Sequence, residues 1–185
     1  MTDTETKERV VVYIDGNNFY KYLKDNEINF PRGIKFDFMR FVSNLVGDRI
    51  LVSKRYYVGV ARNVDNTEKS KNMVMGQQKF LAHLENEGFS IKRGRVMYDS
   101  GKIREKGTDV KMAVDLVVGA VDDLYDTAVV VSSDTDLIPA TQYVRYKGKR
   151  IEYVGFSHAP SLGMQKHADF SILLTPQGIS ELKAN

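Results

Sequence analysis

Aspartates follow two of the most apolar segments of the chain, at points where a buried strand would end. Asp15 comes directly after residues 9–14, a nearly continuous run of apolar and β-branched side chains, and Asp134 follows a similar run at residues 127–132. A third aspartate, Asp109, stands at the start of a helical pattern between them. Such runs are typical of strands covered on both faces of a parallel sheet. Because ligands bind beyond the carboxyl ends of parallel strands, these aspartates are predicted to face a binding site.

Clustered aspartates point to metal chemistry. If the strands before Asp15 and Asp134 are neighbours, these two side chains converge with Asp109 and Asp136. Carboxylates so close cannot all stay ionised unless protons or cations compensate their repulsion, and hard oxygen ligands favour Mg²⁺ or Mn²⁺. Divalent cations can activate water and stabilise a leaving oxygen, so phosphodiester hydrolysis would need no nucleophilic side chain.

Each aspartate alone also has an ordinary structural interpretation. Asp-Gly pairs are common in turns, and Asp134 could simply cap the helix that follows it. The coincidence of three aspartates on one predicted edge favours a site instead. Asp115 lies about 120° further around an ideal helix than Asp109, so it is expected either to support the site from behind the ligands or to bond a neighbouring loop.

Polar and basic residues near the aspartates are predicted substrate contacts. Asn18 could position substrate or a water molecule, although Asn17 and Asn18 are also ordinary helix-start residues. Ser132 and Thr135 could contact phosphate or satisfy nearby backbone groups. Lysine and arginine side chains just before Asp109 could draw a phosphate backbone toward the acidic cleft, or could belong to a solvated loop. These basic residues are Lys102, Arg104 and Lys106.

Other chemistries lack their motifs. The three histidines have no ligand-like spacing, and the glycines match neither a phosphate-binding loop nor a dinucleotide-binding fingerprint, so no nucleotide cofactor is expected. The chain has no cysteine, which excludes disulfides, thiolate zinc sites and cysteine nucleophiles. This composition suits a reducing compartment, and the cytoplasm is the expected location. The mild net charge of +3 would support phosphate binding without arguing for it alone.

Alternating strand and helix patterns predict the sheet that positions these residues. They indicate an α/β fold, a three-layer sandwich with a mainly parallel central sheet and right-handed crossovers. Strands are expected at residues 9–14, 49–61, 89–98, 127–132, 150–155 and 170–174. Helices are expected at residues 19–23, 36–46, 70–87, 109–124, 134–146 and 161–167, and after Pro176. Thr108 is the predicted N-cap of its helix, residues 99–107 a polar loop, and Lys54-Arg55 and Lys92-Arg93 exposed strand pairs.

Length and composition fit one globular domain. A chain of 185 residues with 42% hydrophobic side chains can bury a core, and the sequence shows neither an internal repeat nor an interdomain linker. Residues 1–9 lack an apolar signal core, and no apolar run approaches the roughly 18 residues of a membrane span. A soluble protein with no membrane partner is therefore expected.

Three segments resemble the signature motifs of the NYN domain family, in the family's order and strand context. They are residues 12–18 (VYIDGNN), 106–115 (KGTDVKMAVD) and 131–137 (VSSDTDL). The similarity runs from about residue 9 to 174. Bacterial LabA-like members, formerly grouped as a domain of unknown function, are the branch that the segments resemble.

This resemblance implies a PIN-like, FLAP-nuclease-related fold with Rossmann-like topology, whose acidic cluster binds Mg²⁺ or Mn²⁺ and cleaves RNA. By motif position, Asp15, Asp109 and Asp134 would coordinate the metal, and Asp136 would assist catalysis. Residues 1–185 would form a single NYN/PIN-like domain, with its core at 9–174, a flexible N-terminus at 1–8 and a C-terminal helix at 175–185. RNA is the expected partner. A homodimer stays open, because the sequence does not locate the exposed apolar patch that it would need.

Two other functions remain open at this point. The domain could bind RNA or a regulatory partner without cleavage, since family membership does not guarantee turnover, although the intact acidic set argues against this. It could also be a phosphatase acting on small molecules. A haloacid-dehalogenase-type enzyme, however, would have Asp-x-Asp after its first strand, where this chain has Asp15-Gly16-Asn17, and a Toprim-type site would have a glutamate there.

Overall fold

A parallel sheet forms the centre of the structure. The computed structural model describes residues 7–24, 28, 36–60, 67–99 and 102–184, and within these it describes all side chains except those of residues 95–99 and 102–106. The strands are β1 (Arg9–Asp15), β2 (Ile50–Val58), β3 (Ser90–Arg93), β4 (Arg95–Asp99), β5 (Lys102–Lys106), β6 (Thr127–Val131), β7 (Arg150–Phe156) and β8 (Phe170–Leu174). Six of them form one sheet in the order β3-β2-β1-β6-β7-β8, with every pairing parallel.

Strands β1 and β6 occupy the middle of this sheet because their side chains are apolar on both faces. Residues 10–14 of β1 and 127–130 of β6 are all fully buried. The two strands pair directly, with Ile14 opposite Val131. The expectation that the strands preceding Asp15 and Asp134 are neighbours is therefore confirmed.

Helices cover both faces of the sheet. They are α1 (Gly16–Leu23), α2 (Phe38–Val46), α3 (Glu68–Asn86), α4 (Thr108–Val121), α5 (Ile138–Tyr146), α6 (Leu162–His167) and α7 (Pro176–Ser180). One core cluster packs α1, α2, α3 and α7 against one face, and a second packs α4, α5 and α6 against the other. The predicted three-layer α/β sandwich is thus confirmed. Among the described residues, no helix has both the length and the apolarity needed to cross a membrane.

The segment between β3 and α4 differs from the prediction. The expected strand at residues 89–98 is split, because β3 ends at Arg93 and β4 belongs to a separate two-stranded sheet. Residues 99–107, expected as a polar loop, include β5, which pairs antiparallel with β4 as a hairpin. In the sequence, the Ser100-Gly101 dipeptide between the two segments is a turn signal that the charged composition obscured.

Two helix starts and the N-terminus also differ. Helix α4 begins at Thr108 itself, and Gly107 stands at its cap position with a φ of 86°, which favours glycine. The helix expected from residue 134 begins as a 3-10 turn at Thr135–Leu137, and α5 follows with a proline in its first turn. Of the N-terminus expected to be flexible, residues 1–6 lie outside the described part of the chain, whereas Glu8 is anchored by Arg49 and Arg150.

Close packing of α4 on the sheet yields a test of this core. A Cβ added at Gly119 would lie 2.6 Å from Tyr125 Cε1 and 3.1 Å from the hydroxyl oxygen of Tyr13. Both tyrosines are fully buried, and the Tyr125 hydroxyl donates to the Leu116 carbonyl at 2.6 Å. Gly119→Ala is therefore expected to lower the free energy of unfolding by about 2 kcal/mol through overpacking, as measured by chemical denaturation.

The matched control is Gly76→Ala, in the middle of α3. A Cβ at Gly76 meets nothing within 4 Å. The same substitution there should raise the free energy of unfolding by up to about 1 kcal/mol, because alanine favours a helix over glycine. Equal effects at the two positions would show that the packing around Gly119 is looser than described.

Candidate metal centre

Asp15 is held at the carboxyl end of β1 by groups from two elements. Its carboxylate caps α1 by accepting the backbone amide of Asn18 at 3.1 Å. The hydroxyl of Ser132, just past β6, donates to Asp15 Oδ2 at 2.9 Å. Ser132 is 2% exposed and its oxygen also accepts the Asp134 amide at 3.2 Å. Ser132 therefore holds Asp15 and satisfies a nearby backbone amide, which is one of the two roles that the sequence left open; its contact with phosphate stays a prediction.

Asn18 fastens helix α1 to the loop after β6. Its side-chain oxygen accepts the backbone amide of Ser133 at 3.0 Å. This bond closes the cleft floor between the ends of β1 and β6, because Asn18 also donates its own backbone amide to Asp15. The side-chain oxygen of Asn18 is thus used in binding the backbone, and the contact of its amide with substrate or water stays a prediction.

Three further carboxylates meet beside Asp15. Asp109 lies in the first turn of α4, and Asp134 and Asp136 flank the start of the 3-10 turn. One carboxylate oxygen from each lies within 4.8 Å of the others. Asp134 and Asp109 are half-buried and Asp136 is exposed. We call this set the aspartate triplet. It includes Asp136, which the sequence assigned only an assisting role, in place of Asp15 as the third member.

The geometry of the triplet follows from local backbone chemistry. Asp134 has an extended backbone conformation, and its Oδ1 accepts the amide of Asp136 at 3.0 Å. This capping bond fixes the turn that carries Asp136 and aims both residues toward α4. The interpretation of Asp134 as a cap is therefore correct together with its place in the cluster, because one oxygen serves as the cap and the carboxylate still reaches its neighbours.

Negative charge is electrostatically unfavourable at this edge of the sheet. Burial raises the pKa of the Asp15 carboxyl above its ordinary value, hydrogen bonds from Asn18 and Ser132 oppose this shift, and the charge of Asp134 adds to it. Three carboxylates within 4.8 Å repel one another strongly unless a cation lies among them. A set of oxygen donors that is only partly buried fits a hard divalent cation that keeps some of its water.

The carboxylates line an open cleft of about 620 Å³. Asp15, Asp109 and Asp134 all border it, so the three principal predicted residues share one site. Lys21 borders it too and was not identified from the sequence. Helical spacing could have revealed it, because Asn17, Asn18 and Lys21 at positions i, i+1 and i+4 of α1 lie on one side of a helix. A second groove, of about 540 Å³, is lined mainly by α4 and α5 and shares Asp109 and Val110 with the first. Asp136 borders this second groove.

The remaining predicted site residues either are not part of the triplet or have side chains outside the described part of the chain. Thr135 is exposed at the start of the 3-10 turn. Arg104 and Lys106 lie in β5, and their side chains belong to the part of the chain that is not described. Asp115 stands apart from the triplet, where it accepts the Tyr57 hydroxyl at 2.7 Å. It bonds a strand side chain, whereas a neighbouring loop or the metal ligands were expected.

Three of the four residues in the two basic strand pairs are less exposed than expected. Lys54 is 8% exposed, with its amine over the ring of Phe89. Arg55 and Lys92 are half-buried and both approach Asp115. Only Arg93 is exposed, as predicted. For Arg55 and Lys92 the physical reason is that both approach Asp115 of α4, whose negative charge attracts the two cations.

Comparison with known proteins supports the fold and the family. A crystal structure of a protein of unknown function from Vibrio parahaemolyticus matches with a TM-score of 0.72 at 18% identity, over 99% of this chain and 100% of that chain. At that identity the likeness concerns the fold alone, and it agrees with the three-layer α/β architecture around a parallel central sheet. No curated protein matches the sequence. A model of the NYN domain matches residues 9–174, the same span that the motifs indicated. The chain therefore belongs to the NYN domain family.

Proposed function

We propose that this protein is a metal-dependent ribonuclease that hydrolyses RNA phosphodiester bonds at the aspartate triplet. The observation that carries the proposal is the approach of three carboxylate oxygens within 4.8 Å, beside Asp15, at the carboxyl edge of a parallel sheet. The nuclease-like fold of the NYN family agrees with it. We further propose that residues 1–185 act as one domain and that the ion is Mg²⁺ or Mn²⁺.

Different residues would bind the cation, line the cleft floor and attract the substrate. Asp109, Asp134 and Asp136 would hold the cation. Asp15, anchored by Ser132 and Asn18, would present a carboxylate of fixed orientation from the cleft floor. Lys21, on the bordering helix, would attract the substrate phosphate that the carboxylates alone would repel. A divalent cation, once bound, supplies Lewis acidity toward the phosphate and lowers the pKa of water.

The shape of the site favours a polymer over a small phosphate ester. The main cleft is open, and a second groove adjoins it at Asp109 and Val110 and runs past Asp136. Enclosed pockets bury most of a small ligand, whereas an open channel with exits on two sides can accept a strand that continues beyond the reacting phosphate. This continuity supports RNA over the small-molecule phosphatase alternative.

The decisive experiment is incubation of the purified protein with labelled single-stranded and structured RNA in Mn²⁺, in Mg²⁺ or in chelator. We expect cleavage that depends on the divalent ion and stops in chelator. Calorimetric titration with Mn²⁺ in the absence of RNA should show binding. RNA binding without cleavage in any ion would refute the ribonuclease and favour the non-catalytic RNA-binding alternative.

A further inference from the structure

A second charged site lies on the same face of the sheet as the aspartate triplet. Arg55 Nη1 and Lys92 Nζ approach Asp115 Oδ2 at 3.7 and 3.6 Å. The Tyr57 hydroxyl donates to the same oxygen at 2.7 Å. We call Arg55 and Lys92 the basic pair. Among the described side chains, Asp115 has the only carboxylate within 4.0 Å of either cation, so two positive charges share one negative charge.

Two cations beside Asp115 are more than is needed to join α4 to the sheet. The Tyr57 hydroxyl already joins β2 to Asp115, and a single cation would neutralise the carboxylate. The side chains of Arg55, Lys92 and Asp115 are only 16%, 29% and 22% exposed, so an excess positive charge is held partly away from water. Such a charge is costly unless an anion completes the site.

The basic pair is also held in place before any ligand arrives. The Arg55 guanidinium lies 5.2 Å from the centre of the Tyr13 ring, and its Nε donates to Ser53 Oγ at 3.2 Å. Tyr13 is fully buried, so this side chain is braced on a rigid surface. A guanidinium fixed in this way loses little entropy when it binds a phosphate oxygen.

Strand register relates the basic pair to the catalytic cleft. Asp15 pairs with Tyr57, and Tyr57 pairs with Lys92, so Lys92 lies two strands from Asp15, or about 10 Å. Along α4, Asp115 follows Asp109 by six residues, a rise of about 9 Å. Both routes give a separation of about three nucleotides of a stacked strand, at roughly 3.4 Å per nucleotide, and of fewer in an extended one.

We propose that Arg55 and Lys92 form a phosphate-binding subsite for the RNA strand, one to three nucleotides from the phosphate that lies at the aspartate triplet. The inference rests on the proposed function, whose RNA substrate it places along a definite path. In it, Asp115 is the internal counter-charge that occupies the basic pair until a backbone phosphate takes its place. The pair is a binding element and takes no part in the bond cleavage.

Binding tests the subsite apart from cleavage. Anisotropy of a short fluorescent single-stranded oligouridylate, in calcium, should show Lys92→Gln weakening the affinity several-fold and reducing the slope of log K against log salt by about 0.7. Arg93→Gln is the matched control, because it removes the same charge from the adjacent residue, which is exposed and paired with Glu85 at 3.0 Å. It should change the affinity much less.

The substitution Asp115→Asn is expected to change the RNA affinity in the opposite direction. Asparagine can still accept the Tyr57 hydroxyl, while the basic pair loses its internal competitor, so RNA should bind more tightly. Thermal unfolding followed by circular dichroism checks that each variant folds. Equal weakening by Lys92→Gln and Arg93→Gln, or weaker binding by a folded Asp115→Asn variant, would overturn the subsite.

Cleavage of a dinucleotide separates this proposal from the ribonuclease itself. A dinucleotide has one phosphodiester and cannot reach both sites, so Lys92→Gln should leave its kcat/KM unchanged while lowering that of a longer strand. Loss on both substrates would overturn the subsite and leave the ribonuclease intact. Oligonucleotide binding with the expected variant effects, but without cleavage in Mn²⁺ or Mg²⁺, would support the subsite and refute the ribonuclease.

Discussion

Asp134→Asn is expected to reduce metal-dependent RNA cleavage about a thousandfold, because it removes one of the carboxylates that would hold the cation. Asparagine keeps an oxygen that can accept the Asp136 amide, the bond that shapes the 3-10 turn. The loss should therefore come from charge and not from a collapsed loop. Single-turnover cleavage rates, with Mn²⁺ affinity from calorimetry, measure the two effects separately.

The control for this substitution is Asp48→Asn. Asp48 is an exposed aspartate in the turn between α2 and β2, and the substitution makes the same change in net charge away from the cleft. It should leave both cleavage and Mn²⁺ affinity unchanged. In chelator, Asp134→Asn should be at least as stable as the unaltered protein, because the repulsion within the triplet is relieved. Retention of most of the activity by Asp134→Asn would exclude the triplet as the catalytic site.

The central sheet could be predicted because hydrophobic burial determines it. Residues 10–14 of β1 and 128–131 of β6 are apolar and buried, and the middle of a sheet covered on both faces accommodates such segments. The sequence left their adjacency as a condition, which the pairing of β1 with β6 fulfils, and this pairing gives Asp15 and Asp134 a common edge. The hairpin β4–β5 was missed because β5 carries four charged residues out of five, a composition typical of a loop.

Membership of the triplet could not be predicted from spacing alone. Which carboxylate oxygens meet depends on a single turn, the 3-10 turn that brings Asp136 rather than Asp15 within 4.8 Å of the other two. Likewise, the burial of Arg55 and Lys92 depends on Asp115 of a different element. These contacts join residues far apart in the chain, and their formation depends on strand register and helix rotation that a one-dimensional pattern does not specify.

Asp15 and the aspartates of the triplet differ in how far solvent can reach their charged groups. The triplet members are half-buried or exposed, so solvent can moderate their repulsion before a cation binds. Asp15 lies deeper and titrates with a raised pKa in spite of two hydrogen-bond donors. A carboxylate kept in such surroundings stores unfavourable energy in the metal-free protein, which a cation in the cleft would relieve.

Asp15→Asn is accordingly expected to stabilise the metal-free protein. It should also lower the cleavage rate a hundredfold or more, since removal of an electrostatic group from an active site typically lowers the rate by about this factor. Because the pKa of Asp15 is raised on folding, the folded state binds more protons than the unfolded state between the two pKa values. Stability from this group is present at low pH and is lost as pH rises through the folded-state pKa. Above the folded-state pKa the ionised carboxylate is unfavourable, so removing its charge should raise the free energy of unfolding there by on the order of 1 kcal/mol.

Denaturant unfolding of both proteins in chelator, across pH, measures this gain, which should shrink as the solution is acidified. Asp37 provides the matched control, since it caps α2 by accepting the Arg40 amide at 2.9 Å as Asp15 caps α1. Asp37→Asn removes a favourable charge from a helix N-terminus remote from the triplet and should be neutral or slightly destabilising. Added Mn²⁺ should then raise the melting temperature of the unaltered protein more than that of Asp15→Asn. If Asp15→Asn instead proves less stable than the unaltered protein in chelator at neutral pH, the carboxylate is favourably ionised without a cation, and the electrostatic case for a metal at this edge fails.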